Sequence, residues 1–237
     1  MSARVAFLIP ALNEEQSIGR VLDDLQAAIH RLEVAASIFV VDNGSTDGTA
    51  TVASARGATV IREPRRGYGQ ACLAGMASLP PETEIAVFLD ADGSDDLADL
   101  DSLLQPILRG EADFVVGSRT LLPQEPGVFT PQQKYGNRLA TTLMHVFFGA
   151  HYTDLGPFRA IRKSSLDSLE MRDTTFGWTI EMQIKAFQRR LRTREAPVRC
   201  HRRVGGVSKI SGNAGAGIRA GIKIIGTILR YRFSRAR

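Results

Sequence analysis

The chain has 237 residues, 43% hydrophobic and 23% charged, ordinary values for a soluble globular protein with one sizeable domain. No run reaches the roughly 18 to 20 apolar residues of a membrane-crossing helix, and Ser2-Ala3-Arg4 leads into a strand with no secretory pattern, so a cytoplasmic location is expected. The formal net charge is +5, but ten of the 30 basic residues and none of the 25 acidic ones follow Glu195. The body is therefore acidic and the tail strongly basic, and the two should meet different partners. Cys72 and Cys200 lie far apart without metal-ligand spacing and read as structural thiols.

Val5 to Ile9 is a short apolar strand stopped by Pro10. Asn13-Glu14-Glu15 opens an amphipathic helix through about His30, with Ile18, Val21, Leu22, Leu25 and Ile29 at helical spacing. Ser37 to Val41 is a second strand running into Asp42-Asn43-Gly44-Ser45-Thr46-Asp47-Gly48, a stretch dense in turn and capping residues ahead of a helix near Thr49. Ala58 to Ile61 is a third strand. The basic loop Arg62 to Gly69 then precedes a helix from Gln70 to Ser78. Ile85 to Leu89, apolar throughout, reads as a strand buried on both faces and ends in Asp90-Ala91-Asp92.

Further on, a helix is expected over Asp99–Arg109, a strand over Phe114–Arg119 and a proline-containing loop or small lid over Leu121–Gln133. Asn137–Phe148 and Thr179–Arg190 read as helices. Phe158–Ile161 reads as a strand, with Arg192–Val198 another at the sheet margin and Gly212–Gly217 a hinge. Strands alternating with helices imply parallel pairing through right-handed crossovers, hence an α/β sheet covered on both faces. Ligands of such sheets sit beyond the carboxyl ends of the strands. The segments 10–15, 42–47, 62–69 and 90–92 thus share one nucleotide-sized edge.

Asp90 and Asp92 repel each other unless a cation bridges them to a phosphate, and hard oxygen ligands suit Mg²⁺ or Mn²⁺. The rival reading is an acidic turn that caps the next helix. No GxGxxG follows the first strand and no GxxxxGK[ST] occurs, so dinucleotide and P-loop sites are poor readings. Two carboxylates with several arginines suit departure of a nucleoside diphosphate.

The blocks Pro10-Ala11-Leu12-Asn13-Glu14, Val41 to Thr49, Leu89-Asp90-Ala91-Asp92 and Gly117-Ser118-Arg119 resemble those of family 2 glycosyltransferases. Asp154 to Ala160, Gly177 to Met182 and Arg203 to Lys209 are similar to the branch of dolichol-phosphate mannosyltransferases and polyprenyl-phosphate glycosyltransferases. The resemblance implies a GT-A fold, a mostly parallel central sheet flanked by helices and Rossmann-like in its nucleotide-binding half. That domain would span 1–211, with the nucleotide-sugar half to about 119 and the acceptor half from 120, followed by a basic amphipathic helix over 212–237. It implies inverting transfer of a hexose from a nucleoside diphosphate sugar to a polyprenyl phosphate, with Mg²⁺ or Mn²⁺ on Asp90 and Asp92. Pro10, Leu12, Glu14 and Asp42 would cradle base and ribose. Arg119, Arg203, Ser208 and Lys209 would contact the donor diphosphate or an acceptor phosphate. Asp42-Asn43 stands where many relatives have two acidic residues, so no role of a second carboxylate carries over.

Asp47 reads equally as a helix cap, Glu14 as a carboxylate meeting a helix dipole, and Glu181 as an i,i+4 ion pair with Lys185. His145 and His151 read as packed or surface residues, and Trp178 as core or as a sugar-stacking ring. A phosphate acceptor, whose second pKa is about 6, needs positive positioning groups and no strong base. An alcohol acceptor needs a carboxylate in reach, for which Asp154 and Glu181 are the candidates. The soluble phosphorylated or hydroxyl acceptor is accordingly the alternative to the lipid phosphate. The helix expected over Ile218–Tyr231, ~21 Å long, is too short to span a bilayer. It suits peripheral contact with the inner face of a membrane, with docking on the domain or in a homodimer as the rival. A nucleic-acid-binding module is the remote alternative, opposed by the acidic body and the few aromatics of the tail. A sugar-phosphate nucleotidyltransferase is disfavoured because Pro10 to Glu14 stands where its Gly-rich loop would be.

Overall fold

The structure, a computed structural model, describes residues 3–204 and 214–233. Seven strands form one sheet in the order β3-β2-β1-β4-β6-β5-β7. Strands β1 (Arg4–Ala11), β2 (Ala35–Asp42), β3 (Thr59–Arg62) and β4 (Ile85–Phe88) are parallel. They are linked through α1 (Glu15–Leu32), α2 (Thr49–Ala55) and α3 (Tyr68–Ala77). Then follow α4 (Leu100–Leu108), β5 (Phe114–Ser118), α5 (Pro131–Phe148), β6 (Arg159–Arg162), α6 (Lys163–Leu169), α7 (Trp178–Gln188), β7 (Thr193–Pro197) and α8 (Ala214–Phe233).

Two apolar layers explain why the central strands are hydrophobic throughout. Phe7, Ile9 and Val87 join the α1 stripe of Ile18, Leu22 and Leu25 on one face. Leu8 and Phe88, one residue on, point the other way into a cluster with Phe114, Trp178 and Met144. The sheet is thus covered on both sides, as its sequence pattern requires.

Several boundaries differ from the sequence reading for local reasons. β1 continues through Pro10, because β4 leaves it after Leu8 and only β2 pairs with it at Pro10 and Ala11. A proline is tolerated where one side of the ladder is already open. α5 begins at Pro131, six residues before the expected start. Thr130 and Gln133 form a capping box, the Gln133 side chain accepting from Thr130 N at 2.8 Å, with Pro131 in the first turn. The short helix α6 is an element the sequence reading lacks. Residues 214–217, expected in a hinge, are helical, while Gly212 and Asn213 lie outside the described residues.

The main correction is β6, which lies antiparallel between β4 and β5. Residues 149–158 cross the strand-end edge before β6 begins. The Asp154 segment therefore reaches the same edge as the carboxyl ends of the parallel strands; a parallel β6 would have sent it to the opposite one. β7 is a margin strand, as expected, and its parallel pairing with β5 returns the chain to that edge at Val198.

α8 docks on the domain. Ile228 is fully buried, Ile224 and Tyr231 pack against the second apolar layer, and the Tyr231 hydroxyl donates to Glu181 at 2.5 Å. Among the described residues no helix is long and apolar enough to cross a membrane.

Candidate active site

At the strand-end edge Ala11 pairs with Asp42, Asp42 with Arg62, and Leu8 with Phe88, so four carboxyl ends lie side by side. Two loops there are cross-braced. Asn13, in the left-handed region at φ 52°, donates its N–H to Ser45 Oγ at 2.9 Å and accepts Thr46 N at 2.8 Å. Glu15 accepts Gly48 N at 3.0 Å while Asp47 accepts Glu15 N at 3.2 Å. Asp47 also accepts from the backbone N–H and hydroxyl of Thr49, the first residue of α2, although the cap position itself is taken by Gly48.

The loop after β4 folds back on itself. Asp92 accepts Ser94 N at 2.9 Å, Gly93 takes a positive φ of 74°, and Asp95 returns to accept Asp90 N at 3.0 Å. Three carboxylates are thereby crowded together. Burial, then Asp92 and Asp95, push the Asp90 carboxyl well above its usual range, and burial raises Asp95 to about 7. Among the described residues no hydrogen bond reaches the Asp90 carboxylate.

Residues 199–204 run antiparallel to this acidic loop as a strap, through Asp96 N to Arg199 O (3.4 Å), His201 N to Ser94 O (2.8 Å) and Val204 N to Asp92 O (3.1 Å). The strap is held by charge as well. Arg199 binds Asp99 and Asp96 at 2.7 and 3.1 Å, and His201 Nε2 lies 3.3 Å from Asp96. Arg203 bridges two strand ends, its Nη2 at 2.6 Å from Glu14 and its Nη1 at 2.9 Å from Asp92. The basic tail and the acidic body, read in sequence as facing different partners, in part neutralise each other here. Ser208 and Lys209 lie outside the described residues.

On the nucleotide side Asp42 is buried and accepts Ser45 N at 2.9 Å, with Pro10 and Leu12 half-buried beside it. Asn43 has a role that an acid could not fill. Its amide donates to Glu63 O (3.1 Å) and Arg65 O (2.7 Å), and its carbonyl accepts Gly67 N (2.8 Å). An aspartate would set an anion against two carbonyl oxygens at a site only 4% exposed. Asn43→Asp is therefore expected to destabilise the fold by about 1–3 kcal/mol in urea titration, whereas an unchanged midpoint would show that the loop re-forms without the two donors.

The remaining predicted catalytic groups lie deeper. Arg119 clamps Asp154 with Nε and Nη2 at 2.7 and 2.8 Å, and its guanidinium lies over the Phe129 ring. Gly117 and Gly156 permit this meeting, since a Cβ on Gly156 would stand 2.2 Å from Gly117 O. Asp154 is 1% exposed, so it anchors Arg119 beneath the acidic loop and is not presented as a base. Glu181 differs more sharply from its expected role. It is fully buried and accepts Arg172 N (3.0 Å), Asp173 N (2.6 Å) and Tyr231 Oη (2.5 Å), with Lys185 Nζ 2.7 Å away. Its oxygens are occupied by structural partners. Trp178 is likewise enclosed, packed on Phe88 and Tyr68. His145 and His151 stack on each other at 4.1 Å, away from this edge.

The strand ends and the acidic turn lie within a stretch of the chain that matches a known family. The model of Glycosyl transferase family 2 matches residues 6–170. The chain belongs to this family. An uncharacterized glycosyltransferase of Mycobacterium tuberculosis is 37% identical to this glycosyltransferase over 213 residues, 88% of the chain and 90% of the relative. An undecaprenyl-phosphate mannosyltransferase of Micrococcus luteus is 28% identical over 220 residues, 88% of each. Among solved structures, glucosyl-3-phosphoglycerate synthase from Mycobacterium tuberculosis in complex with Mn²⁺, uridine diphosphate and glucosyl-3-phosphoglycerate matches with a TM-score of 0.75 at 24% identity, over 100% of this chain and 81% of that one. Its complex with phosphoglyceric acid gives 0.78 at 22% identity, with the same coverage. The likeness establishes the GT-A fold of this glycosyltransferase.

Asp95 and Asn43 are the site residues that sequence reading passed over. The signal for Asp95 was the turn pair Gly93-Ser94 directly after the two aspartates, which folds the third carboxylate back. Asn43 gave no comparable signal, because its partners are backbone atoms 20 to 24 positions away.

Proposed function

We propose that this glycosyltransferase carries out inverting transfer of a hexose from a nucleoside diphosphate sugar to a polyprenyl phosphate, with Mg²⁺ or Mn²⁺ held by Asp90 and Asp92. The donor set fits such a cation. It offers hard oxygens in three neighbouring carboxylates, one of which accepts no hydrogen bond from the described residues. When bound, the cation supplies neutralisation of the charge that builds on the departing diphosphate. Asp42, Pro10 and Leu12 flank the base and ribose. Glu14 and Asp92 hold Arg203 at the mouth of the site, from where its guanidinium can turn to diphosphate or acceptor phosphate oxygens. Arg119 keeps its orientation through Asp154 and adds positive charge below the loop.

The burial of Asp154 and Glu181 carries the choice of acceptor. An alcohol needs a base, yet both candidate bases are enclosed and hydrogen-bonded. A phosphate is already ionised and needs only positioning by groups such as Arg203. The likeness to the Micrococcus mannosyltransferase supports a lipid phosphate. The phosphoglycerate bound by the matched synthase supports a soluble phosphorylated acceptor as the second reading. Labelled UDP-, GDP- and dTDP-sugars offered with polyprenyl phosphate or with 3-phosphoglycerate separate the two. Label extracted into butanol is the expected result, and label staying in water with phosphoglycerate would replace it with the soluble acceptor.

The cation also predicts a pH dependence. Asp95 titrates at about 7 in the folded chain against an ordinary value of about 3.9, so the cation-free fold loses stability as pH rises from about 4 through about 7. A divalent cation opposes that loss. The rise in Tm on adding Mn²⁺ should therefore be larger at pH 8 than at pH 5, and an equal rise at both would contradict the carboxylate site.

A further inference from the structure

β5 and β7 run parallel as far as the bond from Val198 N to Ser118 O at 3.1 Å. In a parallel ladder the next bonds fall to residue 120, its N–H donating to Val198 O and its carbonyl accepting Cys200 N. Thr120 is turned elsewhere. Arg119 N donates to Asp154 at 2.9 Å and Thr120 Oγ1 to Thr153 O at 3.2 Å, so the chain after β5 bends toward the 149–158 segment just where β7 runs on into the strap.

Gln124 fills the gap. Its Nε2 donates to Val198 O at 3.0 Å and its Oε1 accepts Cys200 N at 2.8 Å, the bonds that the backbone of residue 120 would have made. A primary amide can do this because it carries the donor and acceptor of a peptide group, with one N–H to spare. That second N–H goes to Arg119 O at 2.8 Å, with a weaker approach to Leu122 O at 3.4 Å. One side chain thus ties the backbone of Arg119 to the root of the strap that carries Arg203.

The rest of the loop after β5 acts in the same direction. Arg202 Nη2 donates to Pro126 O at 2.8 Å, and a Cβ on Gly127, at φ 82°, would stand 2.8 Å from that nitrogen. Phe129 meanwhile places its ring 5.1 Å from the Arg119 guanidinium. The segment expected as a loop or small lid is therefore fastened to the strap through Gln124 and Pro126 and to Arg119 through Gln124 and Phe129. It is a brace between two cations.

We propose that Gln124 is a positioning residue for sugar transfer, whose amide continues the β5–β7 ladder and so sets Arg203 against Arg119 at the phosphates. This rests on the reading of Arg203 as a phosphate ligand given above. Without the amide the strap keeps its own bonds to the acidic turn, so the chain should stay folded while the two guanidinium groups lose their fixed spacing.

Gln124→Met, similar in length but without donor or acceptor, should raise KM for the phosphate acceptor about tenfold, with kcat within about threefold and Tm within a few degrees of wild type. Gln124→Glu loses both donors but keeps an acceptor for Cys200 N. It should raise KM as well, yet protect the Cys200 amide from hydrogen exchange as wild type does, whereas the methionine variant should not. The discriminating comparison is with Arg203→Ala. Because Gln124 acts through Arg203, adding Gln124→Met to that variant should change KM no further. Additive effects would overturn the proposal. So would an unchanged KM in a Gln124→Met protein whose Cys200 amide exchanges faster, since the brace would then be structural only. Failure of the lipid reading is separate: label then passes to phosphoglycerate alone, and the same KM comparison on that acceptor decides the role of Gln124.

Discussion

Asp92→Asn should lower kcat/KM for sugar transfer at least about 100-fold, roughly 2.7 kcal/mol of transition-state stabilisation, while the fold persists. The substitution is selective because the two oxygens of Asp92 do different work. Oδ1 accepts Ser94 N and shapes the turn, a bond that asparagine keeps. Oδ2 faces Arg203 at 2.9 Å, and there the amide replaces an anion with a donor. The side chain is 13% exposed at a strand end, and removing one of three crowded carboxylates relieves repulsion, so Tm should move by only a few degrees. The rise in Tm with Mn²⁺ should vanish in parallel. Asp96→Asn is the matched control, since Asp96 caps the short turn at Ala98 and pairs with Arg199 without facing Asp90; it should retain most activity. Wild-type rates in Asp92→Asn, or transfer by the wild type in EDTA, would refute the metal assignment.

How far the fold was legible depended on whether the controlling contact was local. β1, β2 and β4 announce themselves as apolar runs, and α1 as a stripe of period 3.6, because burial on one or two faces leaves a periodic trace. The start of α5 was equally local and was available in Thr130-Pro131-Gln132-Gln133, a capping box with proline in the first turn. β6 was different. Nothing within Arg159 to Arg162 records whether its neighbours run with it or against it, since direction is set by where residues 149–158 carry the chain.

The site divides along the same line. Asp90 and Asp92 stand out because two carboxylates follow a buried strand, and Asp42 because it ends β2. The partners that decide what a carboxylate does are distant: Arg203 for Glu14, Arg119 for Asp154, and Tyr231 for Glu181. Residue type and local spacing proposed acids for catalysis at Asp154 and Glu181. Only the distant donors reveal that these oxygens are already committed.

Glu181 carries the second large effect, and it is an effect on stability. Glu181→Ala should cost about 3 kcal/mol or more in chemical denaturation, because it leaves two backbone N–H groups and the Tyr231 hydroxyl without their buried acceptor and the Lys185 ammonium with Glu170 O but no counter-charge from Glu181. Glu181→Gln keeps one acceptor oxygen and should cost less, with kcat of the folded variant within about tenfold of wild type. A base would behave otherwise: the glutamine variant would be stable and inactive, and would lose the acidic limb of its pH profile. The contacts also predict where the damage spreads. Glu181 fixes the backbone of Arg172 and Asp173, and the next two carbonyls receive Gln70 N and Gly69 N at the head of α3, at 2.9 and 3.2 Å. A Cβ on Gly69 would stand 2.1 Å from Asp173 O, so the two segments are in contact with no room to shift. Loss of the carboxylate therefore loosens the Arg62–Gly69 loop on the nucleotide side and frees Tyr231 of α8 on the other. The expected signature is a higher KM for the donor, with faster proteolysis of α8 and little change in the chemical step.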